Sequence, residues 1–179
     1  EGSTFDADLI RTLLRDHHRV VHLASIVGVG ETIDHPIETA ENLVGTLNVV
    51  KAVTPDHVLI FGSSADVYGM HSLHHEGPMK EDDDVAYEHA LVNRWVYPKV
   101  KAVEESVVAA TAARTVSVRI FNAYGADMDF PDAKRVIPQF VRQIFDKAPI
   151  RIHGSGQQVR SFCYYTDMIE GFARCLDYA

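Results

Sequence analysis

The run HVLIFGS, residues 57–63, decides how the rest of the chain is read. It is short and apolar, with β-branched Val58 and Ile60, and it ends on a glycine and a serine. A strand with one wet face alternates polar and apolar residues. An almost unbroken apolar run instead reads as a strand covered on both faces, as in a parallel sheet. RVVHLA (19–24) and VSVRIFN (116–122) share this character. Between them, PIETAENLVGTLNVVKAV (36–53) places Ile37, Ala40, Leu43, Leu47 and Val50 at helical spacing, and Pro36 suits a first helical turn. A second helix is expected from about Trp95 to Ala113. Strands alternating with helices predict a parallel sheet joined by right-handed crossovers.

Outward from this centre the pattern is less regular. EGSTFDADLI (1–10) reads as a loop entering a helix. After Asn122, AYGADMDFPDAKR (123–135) is a polar loop, VIPQFVRQIFDKA (136–148) a helix and PIRIHG (149–154) a short strand. GSGQQVRSF (154–162) reads as a loop leading into TDMIEGFARCLDYA, with Thr166 as N-cap. The expected class is α/β, a doubly wound parallel sheet of Rossmann type. No G-x-G-x-x-G run follows an opening strand, so the segment is expected to lack the first βαβ unit and to be the middle of a longer chain.

The 179 residues suffice for one domain with a sizeable core. A net charge of −8 argues against a nucleic-acid partner or a membrane surface, either of which calls for a basic face. Cys163 and Cys175 lie outside any CxxC pattern and read as thiols of a reducing compartment. No apolar run reaches transmembrane length and the N-terminus is no signal peptide, so a cytoplasmic protein is expected. EDDD (81–84) reads as a solvated loop. HSLHHE (71–76) offers three histidines, but in a loop, and no metal is expected.

Chemistry concentrates at strand ends and at one helix start. In NRWVYPKVKAVEE (93–105), Tyr97 and Lys101 are four apart and share a helix face, provided the helix begins just before Pro98. A phenol is a weak base at neutral pH, and a neighbouring ammonium favours the phenolate. In FGSSADVYG (61–69), Ser64 and Asp66 follow a buried strand, at the sheet edge where ligands of open α/β sheets bind. VVHLAS (20–25) ends a strand in small residues. Asn122 in VRIFNAYG and Arg160 in HGSGQQVRSF offer an amide and a guanidinium, the latter suited to phosphate.

Taken in order, HLAS, ENLVGTLNVV, SSADVYG, YPKVK, RIFNAYG and GSGQQVRSFCYYTDM resemble the extended short-chain dehydrogenase/reductase superfamily, and within it the NAD-dependent nucleotide-sugar epimerases, dehydratases and decarboxylases. The resemblance implies NAD as cofactor and a nucleotide-sugar substrate, UDP-sugar favoured. It implies Tyr97 as catalytic base, Lys101 as its partner and a ribose ligand, and Ser64 as the hydroxyl polarising the substrate oxygen. Leu23, Ala24 and Ser25 match the segment lining the cofactor, Asn42 the asparagine steadying the loops around it, and Phe121 the residue beside the nicotinamide. Asn122, Val136, Ile137 and Arg160 match substrate-binding positions. The implied organisation is residues 1–125 as the later part of the NAD-binding domain and 126–179 as the start of the nucleotide-sugar region. Val100 and Pro98 depart from the usual residues before the lysine, and an aspartate is frequent where Ser3 stands.

The reaction class follows from the neighbours of Ser64. Related 4,6-dehydratases carry an Asp-Glu pair there, and this chain has Ala65-Asp66. Dehydration is therefore disfavoured. UDP-glucuronate decarboxylases keep a carboxylate at the second position only, and simple 4-epimerases lack both. The favoured expectation is 4-epimerisation of a UDP-sugar, with UDP-glucuronate decarboxylation as the alternative. A non-catalytic NAD(P)-binding sensor or scaffold is the rival of another class. A homodimer through the helices at 36–53 and 95–113 is also expected from the resemblance.

Overall fold

The computed structural model describes residues 1–74, 77–126, 128 and 135–178. The chain forms two compact units, Glu1–Ile120 with Phe172–Ala179, and Phe121–Gly171. The first holds α1 (Ala7–Asp16), β1 (Arg19–His22), α2 (Val29–Asp34), α3 (Pro36–Ala52), β2 (Val58–Ser64), α4 (His71–His74), α5 (Val96–Ala109) and β3 (Arg114–Ile120). The three strands pair in parallel in the order β1-β2-β3, with Val21 opposite Ile60 and Ile60 opposite Val116. This is the Rossmann-like α/β architecture expected from the alternating pattern. Both crossovers run the same way along the sheet, so right-handedness brings α3 and α5 together, and they pack on each other.

β2 shows why the apolar run mattered. It is paired on both edges, and Leu59, Ile60 and Phe61 are wholly buried. Alternate residues face opposite ways. Leu59 and Phe61 join Leu14 of α1, Val49 of α3, the following Val53, and Val108 of α5 in one core cluster. His57, just before β2, ties the elements together. Its Nδ1 accepts from the Thr54 backbone N–H at 3.0 Å, so the proton lies on Nε2, which donates to the Leu14 carbonyl at 2.9 Å near the end of α1. At the start of α1, Asp6 is the N-cap, accepting from the N–H groups of Asp8 and Leu9.

Several expectations are corrected. The anticipated stripe of α3 is not the buried one: the helix buries Thr39, Asn42, Gly45, Thr46 and Val49 and leaves Ile37 74% exposed. The reason is close approach. A Cβ on Gly45 would come within 2.5 Å of Thr4 Oγ1, and the two threonines tolerate burial because their hydroxyls are bonded. β1 ends at His22 rather than residue 24, and a short helix, α2, follows it. The second helix is shorter than expected, preceded by a 3-10 turn at Asn93–Trp95. Pro98 stands in its first turn, where no intrahelical donor is needed.

The second unit contains β4 (Asn122–Tyr124), α6 (Val136–Phe145), β5 (Phe162–Tyr164) and the first part of α7 (Tyr165–Tyr178). β4 and β5 pair in parallel, a small sheet not anticipated from the sequence. PIRIHG (149–154) forms no strand; its Arg151 N–H is taken by the Gln143 side chain instead of a neighbouring strand. Thr166 lies inside α7 rather than capping it. Part of HSLHHE and most of the 127–134 loop fall outside the described residues.

His22 on β1 is 4% exposed, between Thr46 and the Phe61 ring. Burial, aided by the charge of Lys101, lowers its pKa to about 4 from an ordinary 6.5. The folded state therefore keeps it neutral while the unfolded chain takes a proton below 6.5. Its contribution is complete above pH 6.5 and is lost as pH falls toward 4, in total about 3 kcal/mol. His22→Gln should flatten the fall of unfolding free energy across that window in denaturant titrations. Leu59→Ala, at a position with no exposure, should cost about 2–5 kcal/mol in the same measurement at neutral pH.

Candidate active site

The site is built where β2 ends and α5 begins. β2 runs into a 3-10 turn, Ala65–Tyr68, and Ser64 caps it, its Oγ accepting from the Asp66 N–H at 3.1 Å. Gly69 closes the turn at φ 58°, a left-handed conformation, and a Cβ there would fall 2.2 Å from the Ala86 carbonyl oxygen. The turn thus holds Ser64 and Asp66 at the C-terminal edge of the sheet.

α5 presents one buried stripe: Tyr97, Lys101, Glu104 and Val108, spaced 4, 3 and 4 apart. The Ser64 side chain lies close enough to the Tyr97 phenol to bear on its ionisation. Burial pushes the Tyr97 phenol up to about 12, the Ser64 side chain opposes this, and the charges of Asp66 and Glu104 add to the rise. Lys101 is 3% exposed. Its ammonium donates to the Gly62 carbonyl at 3.1 Å and lies 3.1 Å from Glu104 Oε2, a close ion pair off the ideal hydrogen-bond axis. It also stands over the Phe61 ring at 4.6 Å and near the Tyr97 ring at 6.0 Å. Burial pulls its pKa below the usual lysine range, and Glu104 is the largest opposing influence.

The surroundings are tied down by polar contacts. Arg119 of β3 makes a bidentate pair with Glu105 at 3.0 and 2.9 Å, donates to the Glu81 carbonyl and stacks on Tyr68. The Tyr87 hydroxyl donates to the Val67 carbonyl, and Trp95 Nε1 to Glu88. Arg94 lies 3.5 Å from Asp66 and against Trp95. After β1, Leu23 and Ala24 are exposed and Ser25 is half-buried. Asn42 of α3 brackets Ile26, its Oδ1 accepting from the Ile26 N–H at 2.8 Å and its Nδ2 donating to the Ile26 carbonyl at 3.1 Å.

The first unit therefore brings together Ser64, Asp66, Tyr97 and Lys101, with Leu23, Ala24, Ser25 and Asn42 at the same sheet edge. Phe121, Asn122, Val136, Ile137 and Arg160 belong to the second unit. There Asn122 donates to the Ser161 carbonyl at 2.9 Å, Phe121 and Val136 are exposed, and the Arg160 guanidinium donates to the Val159 carbonyl. Reading the sequence missed Glu104, Thr46, His22 and Arg94. The adjacent pair Glu104-Glu105 was the available signal, since one of them must fall on the Tyr97–Lys101 face. Among the described residues, no group of three or more His, Cys, Asp or Glu side chains could hold a metal ion, and no helix is long and apolar enough to cross a membrane.

The chain can be compared with known proteins on this footing. It is 33% identical over 98% of its length to UDP-N-acetyl-alpha-D-glucosaminuronate decarboxylase of Bacillus cytotoxicus, covering 55% of that protein. It is 30% identical over 95% of its length to UDP-glucuronic acid decarboxylase 1 of Arabidopsis thaliana, covering 39%. The crystal structure of UDP-glucuronic acid 4-epimerase from Bacillus cereus, in complex with UDP-glucuronic acid and NAD, superposes with a TM-score of 0.80 at 25% identity, over 98% of this chain and 54% of that one. The chain thus spans about half the length, or less, of the relatives it matches. The model of the NAD dependent epimerase/dehydratase family matches residues 1–179, and the chain belongs to that family.

Proposed function

We propose that this chain is the catalytic segment of an NAD-dependent enzyme that modifies a UDP-sugar through a 4-keto intermediate. One observation carries the reading: Tyr97 and Lys101 lie one turn apart on the buried face of α5, with the Ser64 side chain at the end of β2 close enough to bear on the Tyr97 phenol. The residues at this edge fit NAD. An ammonium has three N–H groups. Gly62 and Glu104 engage Lys101 on two sides, which leaves an N–H for a ribose hydroxyl. After Leu23, Ala24 and Ser25 offer little bulk to keep a dinucleotide from the backbone.

NAD, when bound, supplies the hydride acceptor. This chain supplies the rest. Ser64 donates to the sugar O4 and Tyr97 exchanges the proton of that hydroxyl, while the Lys101 charge favours the phenolate. Asn42 holds the loop after β1 in place. Phe121 would flank the nicotinamide, and Asn122, Val136, Ile137 and Arg160 would hold the nucleotide-sugar.

The first reading of the outcome is 4-epimerisation, in which the ketone is reduced from its other face. Ala65 leaves no acid at the position that dehydration would use. Decarboxylation is the second reading. It is favoured by the two curated relatives and by Asp66, which lies beside Arg94 and, once it has taken a proton from solvent, can pass it to C5 after carbon dioxide has left a 4-keto uronate. All three relatives described above are named for UDP-uronic acids, which makes a UDP-uronate the substrate of choice for either outcome. We place the enzyme in the cytoplasm, in keeping with its free thiols, as a homodimer through α3 and α5, whose Ile37, Val44 and Val103 are exposed.

The test uses the complete gene product with NAD and UDP-glucuronate, with products followed by mass spectrometry and proton NMR. Tyr97→Phe should lower turnover by about 100- to 10,000-fold while keeping NAD affinity; undiminished turnover would overturn Tyr97 as the base, and NAD binding with no turnover in the unsubstituted protein would leave the scaffold reading standing. An unchanged mass with an inverted C4 signal identifies the epimerase. Loss of carbon dioxide identifies the decarboxylase, and Asp66→Asn should then reduce that loss far more than it reduces NAD binding.

A further inference from the structure

Below the Ser64–Tyr97 pair runs a buried polar chain that the proposed reaction does not itself require. It passes from His22 on β1 through Thr46 on α3 to Glu104 and Lys101 on α5. His22 Nε2 lies 2.9 Å from Thr46 Oγ1, the Thr46 hydroxyl donates to Glu104 Oε1 at 2.5 Å, and Glu104 Oε2 faces the Lys101 ammonium at 3.1 Å. Thr46 and Glu104 have no exposure at all. The proton positions follow from the ends of the chain. A carboxylate only accepts, so the Thr46 hydroxyl must donate to it, and its oxygen is left to accept from the Nε2–H of a neutral His22.

An exposed Lys–Glu pair one turn apart contributes a few tenths of a kcal/mol and exchanges freely with water. This pair is enclosed, and removing one partner would leave the other as an uncompensated buried charge. Other groups around Lys101 are committed or neutral. Glu105 is held by Arg119 of β3, Asp66 faces Arg94 near the 3-10 turn, and Glu31 of α2 faces His35. β2 offers the Gly62 carbonyl and the Phe61 ring, β1 the neutral His22, and α5 itself the Tyr97 phenol.

We propose that Glu104 is a positioning residue that keeps Lys101 charged and fixed beside Tyr97, with Thr46 and His22 setting the direction of its carboxylate. The functional consequence rests on Tyr97 and Lys101 being the working pair; the effect on Lys101 does not. Glu104 acts in two senses. It stabilises the ammonium against burial, and its negative charge disfavours the Tyr97 phenolate. Replacing it with a neutral isostere should let Lys101 lose its proton at lower pH. While Lys101 is still charged, Tyr97 should ionise at lower pH too.

The complete gene product is labelled with carbon-13 at lysine Cε, and the Lys101 resonance is assigned by its loss in Lys101→Met. In Glu104→Gln the Lys101 titration midpoint should fall by about one pH unit or more. Thr46→Val should move it the same way by less, and Glu104→Asp should restore part of it. Both limbs of the pH profile of turnover should shift downward in Glu104→Gln, which a purely structural role would not produce. An unmoved midpoint in folded Glu104→Gln overturns the proposal. If that variant does not fold, an unmoved midpoint in Thr46→Val overturns it. A shifted midpoint in a protein that turns over no nucleotide-sugar keeps the Glu104 assignment and overturns the reaction reading instead.

Discussion

A charged lysine enclosed by protein must be compensated where it stands, and the first unit is organised around that requirement. Lys101 reaches the sheet because α5 packs over β2, and there it finds a backbone carbonyl that the parallel ladder leaves pointing toward it. The carbonyl belongs to Gly62, where a Cβ would come within 2.6 Å of the Leu23 side chain. The second partner, Glu104, arrives from the next turn of the same helix, and the third layer, Thr46, from the crossover helix beside it. Three elements that come together through apolar packing are thereby held in one register by a few polar contacts. Apolar surface alone is indifferent to small slips, whereas these contacts are directional.

The same enclosure shapes the chemistry. In water, a lysine near a tyrosine has little effect on it. Inside the protein the lower effective dielectric strengthens each charge, so Asp66 and Glu104 both act on one phenol. Burial holds Tyr97 protonated, with its pKa pushed up to about 12. The bidentate Arg119–Glu105 pair and the Tyr87 and Trp95 hydrogen bonds perform the complementary task of holding the backbone around α5 rigid.

Much of the geometry of the candidate site was legible in linear order. Tyr97 and Lys101 share a face because a helix repeats every 3.6 residues, and Pro98 marks where that helix can begin. Ser64 follows the buried strand β2, so its place at the sheet edge was implied by the apolar run before it. α3 was legible as a helix but not in its orientation. Its large apolar residues suggested one face, yet Thr39, Gly45 and Thr46 are the ones buried, because α5 and the N-terminal segment come too close for bulk. The small sheet of β4 and β5 was not legible at all. Three-residue strands carry no periodicity, and only the pairing of Asn122–Tyr124 with Phe162–Tyr164 defines them.

The sequence by itself determined the alternation of strands and helices, the helix that carries Tyr97 and Lys101, and the motifs that place the chain in its family. These are properties of neighbours along the chain, where spacing alone dictates which side chains share a face. Only the tertiary structure decided which face of α3 is buried, that Glu104 rather than Glu105 meets Lys101, and that His22 and Thr46 lie behind them. The contacts of Thr46 with His22 and with Glu104 join residues 24 and 58 positions apart, and their partners are selected by packing and by the cost of leaving a buried charge or hydroxyl unpaired.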